Sequence, residues 1–435
     1  MFDTLVAVDP DADEAALIER IAALETSKAV AAAAQARLTA LLDEKRRAAE
    51  AAAGVPADKR GRGLAGEIAL ARRDSPNKGG RHLGFARALV HEMPCTLAAL
   101  QAGELSEWRA TVIVRESACL SVEHRRQLDA ELCHDPRRLQ GWGDKRVEAE
   151  AKKIAYRLDA QAVVERAAKA AADRTVTIRP APECMTYVTV LLPVAQGVGV
   201  YAALKRAADT TFDERSRGQI MADTVYERVT GHPAAAPVPI TVNVVMSDQT
   251  SIAGSHQPAH VQGYGPVPAG TARTLIKNAA TDARSRATLR RLYARPSTGA
   301  LVAMDSRARL FPKALARFID LRDQTCRTPY CDAPIRHHDH ARPHRHSGPT
   351  SALNGLGECE RCNYTKEAPG WQVTTAEVDG EHTAEFTTPT GHRYTSTAPT
   401  TPGHHQVYVR RPSFRIRCVG RGVTRAPARC PEGGT

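Results

Sequence analysis

Aromatic residues are scarce in this sequence, at 5% of its 435 residues. β-Sandwiches depend on aromatic and β-branched residues, whereas this chain has long alanine-rich stretches that favour helices. The length is sufficient for two or three domains, each with its own core. We therefore expect an α+β protein in which helices predominate.

Long apolar runs and targeting segments are also lacking. The most apolar uncharged stretch, Met185–Leu204, is interrupted by Pro193 and two glycines. It predicts a buried strand, a turn and the start of a helix rather than a membrane span. The N-terminal sequence MFDTLVAVDPDADE has no basic segment before an apolar one, so we expect no signal peptide. These absences favour a cytoplasmic protein.

The cysteines do not form the dense set of a secreted, disulfide-linked scaffold. Six of the ten are scattered, and the other four form two close pairs. This distribution is typical of a protein from the reducing cytosol with one metal site. The scattered cysteines are Cys95, Cys119, Cys133, Cys184, Cys418 and Cys430.

Basic residues outnumber acidic ones, 60 to 48, which gives a formal net charge of +12. This excess favours polyanionic partners, because each Lys or Arg near a phosphate releases condensed counterions. The C-terminal tail is especially basic, and such a tail is either solvated and disordered or in non-specific contact with phosphates. Its arginines are Arg410, Arg411, Arg415, Arg417, Arg421, Arg425 and Arg429.

The N-terminal part of the chain predicts a long helix. Residues from Asp13 to about Ala53 contain almost no helix breakers, and the acidic residues at the start suit the helix dipole. Apolar residues at helical spacing predict a face for core packing or helix pairing, with a dimeric coiled coil as the alternative. These residues are Leu17, Ile21, Leu24, Leu38, Leu41 and Leu42.

After a polar linker at Gly54–Gly63, helices are expected to about Arg174, including a charged one from Lys145 to Ala171. Further elements follow from β-branched runs and helical patterns. They are strands at Thr175–Ile178, Met185–Leu192 and Ile240–Met246, and helices at Val194–Ala208 and Asp213–Val229. We divide the chain into a mostly helical domain (1–250), a connector (251–300), a third region (301–371), and a Thr/Pro-rich segment with the basic tail (372–435).

Two cysteine pairs bracket the most informative stretch, Cys326–Trp371. Cys326 and Cys331 are separated by four residues, Cys359 and Cys362 by two, and 27 residues lie between the pairs. Each pair can hold one side of a tetrahedral zinc ion, and the intervening loop is long enough to close the site. Redox disulfides or coincidence are the alternatives, but Pro and Gly turns around both pairs favour structural zinc. Four thiolates would leave this ion no open position for catalysis.

The loop between the pairs holds five of the sixteen histidines of the protein. Such a cluster is compatible with a second metal site, with proton transfer, or with a chance accumulation on the surface. The histidines and the one acid among them are His337, His338, His340, His344, His346 and Asp339.

The order of residues in this stretch resembles the HNH endonuclease motif. A cysteine pair precedes Asp-His and a Pro; Gly-Pro-Thr and Asn follow, and then Cys-x-x-Cys-Asn with a Lys. The resemblance covers Cys326–Trp371. It implies the ββα-metal fold, with a hairpin across about Ala333–Leu356 and a helix that begins near Glu360. The expected fold class is therefore α+β, a mostly helical domain with a small sheet followed by a small zinc-bound ββα-metal module.

The resemblance also implies the roles of four residues. His340 matches the general base that takes a proton from the attacking water. Asp339 matches the carboxylate ligand of a catalytic divalent ion, and Asn363 stands where the family has His or Asn as the second ligand. Asn354 matches the middle motif residue, which orients the base through its backbone or side chain. The chain would thus be an H-N-N variant.

These residue types are consistent with phosphodiester cleavage, which needs an activated water and a cation that neutralises developing charge. An oxygen ligand such as Asp339 suits Mg²⁺ or Mn²⁺, and an imidazole with an ordinary pKa near 6.5 accepts a proton at cellular pH. Adjacent residues of a strand point to opposite sides. Asp339 and His340 could therefore serve one phosphate only if the hairpin bends there, and Pro343 favours such an irregularity.

Other residues of the stretch have alternative roles. His338 would share the strand face of His340, so it is the main rival as base or ligand. His338, His344 and Lys366 are candidate contacts to the DNA backbone, although Lys366 could equally be a solvated lysine. Trp371 would pack against the module and close it.

The first 250 residues resemble a domain of unknown function (number 222) that precedes HNH modules in actinobacterial proteins of the 13E12-repeat type. The segments that carry the resemblance are Leu100–Ser121 and Asp213–Gly231. The resemblance supports a two-part architecture, but no catalytic role is established for such a domain, so it does not indicate what the helical domain binds.

The sequence thus predicts a metal-dependent DNA endonuclease with structural Zn²⁺ and with Mg²⁺ or Mn²⁺ at the catalytic site. Its partner would be DNA, with neither a membrane nor a small-molecule substrate, and the cytoplasmic protein would join the nucleoid when bound. Two alternatives remain: a zinc-containing DNA-binding protein without catalysis, and a degenerate nuclease whose helical domain binds other proteins. The presence of every motif residue favours the enzyme.

Overall fold

The structure is a computed structural model that describes residues 7–235, 244–251, 254–281 and 310–400. Within these residues helices predominate, and the strands form four small antiparallel sheets. The prediction of a mostly helical protein with small sheets is therefore confirmed. The basic tail, with Cys418 and Cys430, and the predicted start of the third region at 301–309 lie outside the described residues.

The helical domain is built first along the chain, and local sequence sets the helix starts. Side-chain oxygens of Asp13, Ser106 and Ser121 accept hydrogen bonds from the first turns of their helices. The predicted charged helix of residues 145–171 is broken at Asp159, whose side chain caps the second half. The helices are α1 (Glu14–Ala52), α2 (Leu64–Ala71), α3 (Pro76–His91), α4 (Pro94–Gln101), α5 (Glu107–Glu116), α6 (Val122–Cys133), α7 (Asp144–Leu158) and α8 (Ala160–Ala170).

The long helix α1 packs mainly through alanines, and of the leucine stripe that the sequence pattern indicated only Leu24 and Leu42 are partly buried. Leu38 is 66% exposed, and Leu17, Ile21 and Leu41 are also exposed. The small side chains of these alanines allow α3 and α4 to approach α1 closely. Most of the predicted leucine stripe therefore lies on the face of α1 that is not packed against the core. The buried face consists of Ala29, Ala32, Ala33, Ala36 and Ala40, and it adjoins the main helical core.

The next part of the chain contains the predicted hairpin and helix pair. Strands β1 (Thr175–Ala181) and β2 (Met185–Leu191) pair antiparallel, and helices α9 (Val194–Thr210) and α10 (Arg217–Thr230) follow. The apolar stretch that raised the question of a membrane span is thus β2 and the start of α9. Every residue of β2 is exposed, so the prediction of a buried strand was wrong. No helix among the described residues has the length and apolar composition that a membrane span requires.

The predicted connector contains regular structure. Strand β3 (Val244–Val245) is the described part of the strand predicted at Ile240–Met246, whose first four residues lie outside the described ones. It pairs with a small hairpin, and these strands share an apolar cluster that is separate from the main helical core. The further elements here are α11 (Asp248–Ser251), β4 (Ala259–Val261), β5 (Gly265–Val267) and α12 (Ala269–Thr281).

Residues 310–397 form a second part, named here the cysteine module. Its elements are α13 (Lys313–Asp323), β6 (His337–His340), β7 (Gly355–Glu358), α14 (Glu360–Lys366), β8 (Gln372–Val378), β9 (Glu381–Thr387) and β10 (Arg393–Thr397). The last three strands form an antiparallel meander. Our sequence analysis assigned no strands to residues 372–397, although buried and exposed residues alternate along β9 with the period of two that a strand requires.

The cysteine module packs against α2 of the helical domain. Trp371 is buried and clusters with Leu70 and Ala368. An Arg361 guanidinium N–H donates to the Pro76 carbonyl at 3.0 Å. Trp371 therefore closes the module, as predicted, by attaching it to the helices.

Candidate functional site

Four cysteine sulfurs meet at one point of the cysteine module. Cys326 and Cys331 lie in the loop after α13, while Cys359 caps α14 and Cys362 lies in its first turn. The four Sγ atoms lie within 4.8 Å of one another. The Cys331–Cys359 and Cys331–Cys362 distances are 3.8 and 3.6 Å. The prediction that the two pairs form one site is confirmed.

The donor set fits a tetrahedral metal ion. Zinc–sulfur bonds of about 2.3 Å place the sulfurs of a tetrahedral site about 3.8 Å apart, close to the distances found here. Because the four thiols hydrogen-bond to one another, the pKa values of Cys359 and Cys331 are lowered and those of Cys326 and Cys362 are raised. The cluster could bind a metal such as zinc. Four sulfurs would complete the coordination of a zinc ion.

The cysteine cluster lies at the base of a hairpin and a helix. Strand β6 pairs with β7 in the register His337↔Glu358 to His340↔Gly355, and α14 begins two residues after β7, at Glu360, as expected. The buried carboxylate of Asp323 fixes this hairpin, because it accepts a hydrogen bond from the Gly357 N–H at 2.7 Å. The side chains of Arg322 and Arg327 neutralise that carboxylate at 2.7 and 2.9 Å.

His340 lies at the end of β6 and is largely buried. Its Nε2 atom lies 2.9 Å from Thr350 Oγ1, and its ring packs against Phe311 with centroids 4.7 Å apart. Burial lowers the pKa of His340 below its ordinary value, and the charge of Asp339 opposes this only in part. The imidazole is therefore neutral near pH 7 and able to accept a proton.

The side chains of Asp339 and His340 leave opposite faces of the strand, as those of adjacent residues must, yet their polar atoms approach each other. Nδ1 of His340 lies 3.6 Å from Oδ1 of Asp339, which is too long for a direct hydrogen bond. The strand ends at His340, and Pro343 leads into a single helical turn at His344–His346. The two side chains thus converge where the strand stops.

The other carboxylate oxygen of Asp339 is already engaged. Lys366 Nζ donates to Asp339 Oδ2 at 2.6 Å. With its amide oriented to satisfy its hydrogen bonds, Asn363 donates to the same oxygen at 2.6 Å and to Glu358 Oε2 at 3.2 Å. Asp339 and Asn363, the two residues expected to bind a divalent ion, are therefore adjacent. Their oxygen chemistry suits such an ion, but the hydrogen bonds of Asp339 Oδ2 do not leave this pair open to it.

Lys366 is not the solvent-facing lysine that the sequence suggested. It lies on α14 as expected, but its side chain is only 3% exposed. Burial acts against its charge, but the carboxylates of Glu358 and Asp339 outweigh burial and raise the pKa of Lys366. Its ammonium group is therefore an internal cation, and the expected contact to a DNA backbone is contradicted by this position.

Asn354 holds the loop that follows His340. Its backbone carbonyl accepts from the Ala341 N–H at 2.8 Å, and its side-chain oxygen accepts from the Arg342 N–H at 2.9 Å. Its side-chain amide donates to the carbonyls of Arg342 and Pro349. Asn354 thus fixes the two residues after His340 through both backbone and side chain, which is the kind of contact that the resemblance implied.

The remaining histidines separate into different environments. His338 Nε2 lies 2.7 Å from Asp320 Oδ1 on α13, so this rival of His340 is tied to a helix. The ring of His344 lies 5.8 Å from that of His340, next to the candidate base. His346 accepts a hydrogen bond from Arg345 in the exposed turn.

A family model for a domain of unknown function, DUF222, matches residues 21–323, well over half of the chain. The chain belongs to the DUF222 family. Comparisons with characterised proteins and with solved structures found no match. The DUF222 match ends at Asp323, three residues before Cys326, so it covers most of α1, the helices from α2 to α13 and the described connector elements, but neither α14 nor the cysteine cluster.

Two residues of this DUF222 protein that shape the site, Glu358 and Asp320, contact motif residues but belong to no spacing pattern that marks them in advance. Thr350, which contacts His340, is the threonine of the Gly-Pro-Thr element in the motif. Glu358 directly precedes the second cysteine pair, and this was its only signal. Burial raises the pKa of Glu358 well above its ordinary value, and the ammonium group of Lys366 opposes this only in part.

Proposed function

We propose that the cysteine module is an HNH-type endonuclease that hydrolyses phosphodiester bonds in DNA. The observation that carries the proposal is the position of His340: a neutral imidazole, next to an acidic residue, at the end of a hairpin anchored by four cysteines. The order of residues that resembles the HNH motif supports it, because each motif residue lies in the hairpin or the helix after it.

In the proposed reaction His340 is the general base. In the tautomer in which Nε2–H donates to Thr350 Oγ1, Nδ1 is the ring nitrogen that takes the proton from water. Nδ1 faces Asp339 across 3.6 Å, so the carboxylate stabilises the imidazolium that forms. Asn354 keeps the loop after His340 in place. Zinc on the four cysteines would stabilise the hairpin and the helix and take no part in the chemistry.

The net charge of +12 supports DNA as the partner, and the proposal includes catalysis supported by Mg²⁺ or Mn²⁺. HNH modules approach DNA mainly through backbone contacts, so any sequence preference would come from the helical domain or the connector.

A zinc-containing DNA-binding protein without catalysis is the second candidate. The contact between Lys366 and Asp339 favours it, because an ammonium group occupies the carboxylate expected to hold the catalytic ion. In this case the histidines and arginines around the hairpin would contact phosphates without cutting them.

Nicking of supercoiled plasmid separates the two candidates. The zinc-loaded full chain is incubated with plasmid and either Mg²⁺ or Mn²⁺, alongside His340→Ala and a control, His91→Ala, at the C-terminal end of α3, opposite the Pro76 end that contacts the cysteine module. The enzyme predicts nicking by the wild type and by His91→Ala, and its loss in His340→Ala. Mobility shifts without nicking, equal for all three proteins, would support the DNA-binding protein instead.

A further inference from the structure

The carboxyl group of Glu358 is wholly buried beside the Asp339–Lys366 pair, and the proposed reaction gives it no part. Its side chain is 0% exposed. Oε2 lies 3.2 Å from the Asn363 amide and 3.9 Å from Lys366 Nζ. Among the described residues, Oε1 has no hydrogen-bond partner. A buried carboxyl with an unpaired oxygen is unfavourable unless a cation or a donor reaches it.

The side chain of Asn363 can change this cluster from a hydrogen-bond network into an oxygen site. In the hydrogen-bonded orientation its NH₂ group faces both carboxylates. Half a turn of the amide puts its oxygen in that place, 2.6 Å from Asp339 Oδ2 and 3.2 Å from Glu358 Oε2. Three oxygens so close repel one another unless a cation lies among them. Carboxylate and amide oxygens are the ligands that Mg²⁺ and Mn²⁺ prefer.

The ammonium group of Lys366 is a cation that already lies beside these oxygens. Its Nζ atom lies 2.6 Å from Asp339 Oδ2, the oxygen that the Asn363 amide also contacts. Nζ also lies 3.1 Å from Glu367 Oε1, while the other carboxylate oxygen of Glu367 pairs with Arg345 at 2.8 Å. Glu367 therefore gives the ammonium group an alternative partner when it leaves Asp339.

We propose that Asp339, Glu358 and Asn363 form a three-oxygen site for a divalent cation, with the Lys366 ammonium group as its built-in competitor. The inference rests on the proposed function, because it names the ligands of the catalytic ion and adds Glu358 to the two that the resemblance implied. In the lysine form, Asn363 donates hydrogen bonds to both carboxylates. In the cation form, Lys366 moves to Glu367 and the amide oxygen of Asn363 turns inward.

The test is a titration of the zinc-loaded full chain with Mn²⁺, without DNA, in which free Mn²⁺ is measured by electron paramagnetic resonance. Lys366→Met keeps the length of the side chain and removes its charge. We expect Lys366→Met to bind one Mn²⁺ at least tenfold more tightly than the wild type. In Lys366→Met/Glu358→Gln most of this gain should disappear. The matched control is Lys152→Met, which removes one positive charge from a Lys–Glu pair on α7.

Two results would overturn the inference: Mn²⁺ binding by Lys366→Met no tighter than that of the wild type, or a gain that persists in the double variant. Zinc content and circular dichroism verify that each variant is folded. If Lys366→Met loses zinc, Lys366→Gln replaces it, because Gln can still donate to Asp339 without a charge. Loss of zinc from both variants would make Lys366 a scaffold residue and refute the competitor role. A chain that binds Mn²⁺ as expected but leaves plasmid intact would refute the nuclease and retain the cation site.

Discussion

The indole ring of Trp371 lies directly against Gly63, at the junction of the cysteine module and the helical domain. Gly63 has a φ of +83°, and a β-carbon there would lie 2.6 Å from Trp371 Nε1. Only glycine satisfies both the backbone conformation and the close approach. The docking of the two parts therefore depends on a residue without a side chain.

Replacing Gly63 tests this contact. Gly63→Ala should lower the free energy of unfolding by about 3 kcal/mol, because it adds a steric clash to an unfavourable left-handed backbone. Gly141→Ala is the matched control: Gly141 has a similar φ of +72° but no atom within 4 Å of its β-carbon position. Its cost should be about 1 kcal/mol. Urea unfolding measures both values, and equal costs would mean that the Trp371 contact contributes nothing.

Removal of one cysteine should release the metal and leave the helices intact. In Cys362→Ser the site has three sulfurs, and zinc bound to the purified chain should fall from one equivalent per chain to nearly none. The helical core has no cysteine from the cluster, so helix content by circular dichroism should stay close to that of the wild type. Cys184→Ser, at an exposed position, is the control for zinc content. Full zinc occupancy in Cys362→Ser would contradict the four-cysteine site.

An ion pair in the helical domain should make stability depend on pH. Asp43 is buried, and Arg87 contacts its carboxylate at 2.6 Å. Burial acts to raise the pKa of Asp43, but Arg87 and Arg47 outweigh burial and lower it below its ordinary value of 3.8. The stabilisation is therefore fully present above pH 3.8 and is lost as pH falls through the lowered pKa.

Asp43→Asn should accordingly cost about 2 kcal/mol at pH 7, and the difference from the wild type should shrink below pH 3.8. Asp144→Asn removes an exposed partner of Arg109 and should cost less than about 1 kcal/mol. Urea unfolding from pH 7 to pH 3 measures both. A difference for Asp43→Asn that stays constant below pH 3.8 would show that its carboxylate keeps the ordinary pKa.

His338 should be less important for cutting than His340, although both lie on one face of β6. The side chain of His338 pairs with Asp320 on α13 at 2.7 Å, whereas the ring of His340 lies 3.6 Å from Asp339, the expected metal ligand, so we expect His340 to be the base. We expect His338→Ala to cut DNA within about tenfold of the wild-type rate, and His340→Ala to lose at least about 100-fold. Initial rates of plasmid nicking compare the two. A greater loss of the nicking rate in His338→Ala than in His340→Ala would make His338 the base instead of His340.

Local signals predicted the elements with strong patterns. Asp13 and the alanine-rich run predicted α1, which spans Glu14–Ala52. The β-branched residues of Met185–Leu191 predicted β2, and the spacing of the cysteines predicted a cluster whose sulfurs do meet.

Features that depend on tertiary packing could not be predicted in this way. Leu38 belongs to an apolar helical stripe, but the alanine face of the same helix is the one that packs against the core, because alanines permit closer packing. Lysine is usually a surface residue, and only the approach of the Asp339 and Glu358 carboxylates explains the burial of Lys366. The strands after Trp371 contain many Thr residues and are flanked by Pro residues, so the alternation of buried and exposed positions along them was not recognised.

The central claim is that His340 acts as a base in a DNA-cutting site supported by four cysteines. Single-turnover cleavage of an end-labelled DNA duplex by the zinc-loaded full chain tests it most directly, with Mg²⁺ and Mn²⁺ in separate reactions. We predict that the wild type cuts to leave 5′-phosphate and 3′-hydroxyl ends, and that His340→Ala, with unchanged zinc content, cuts at least about 100-fold more slowly. Equal rates for the two proteins, or an intact duplex with wild-type protein in both reactions, would contradict the account.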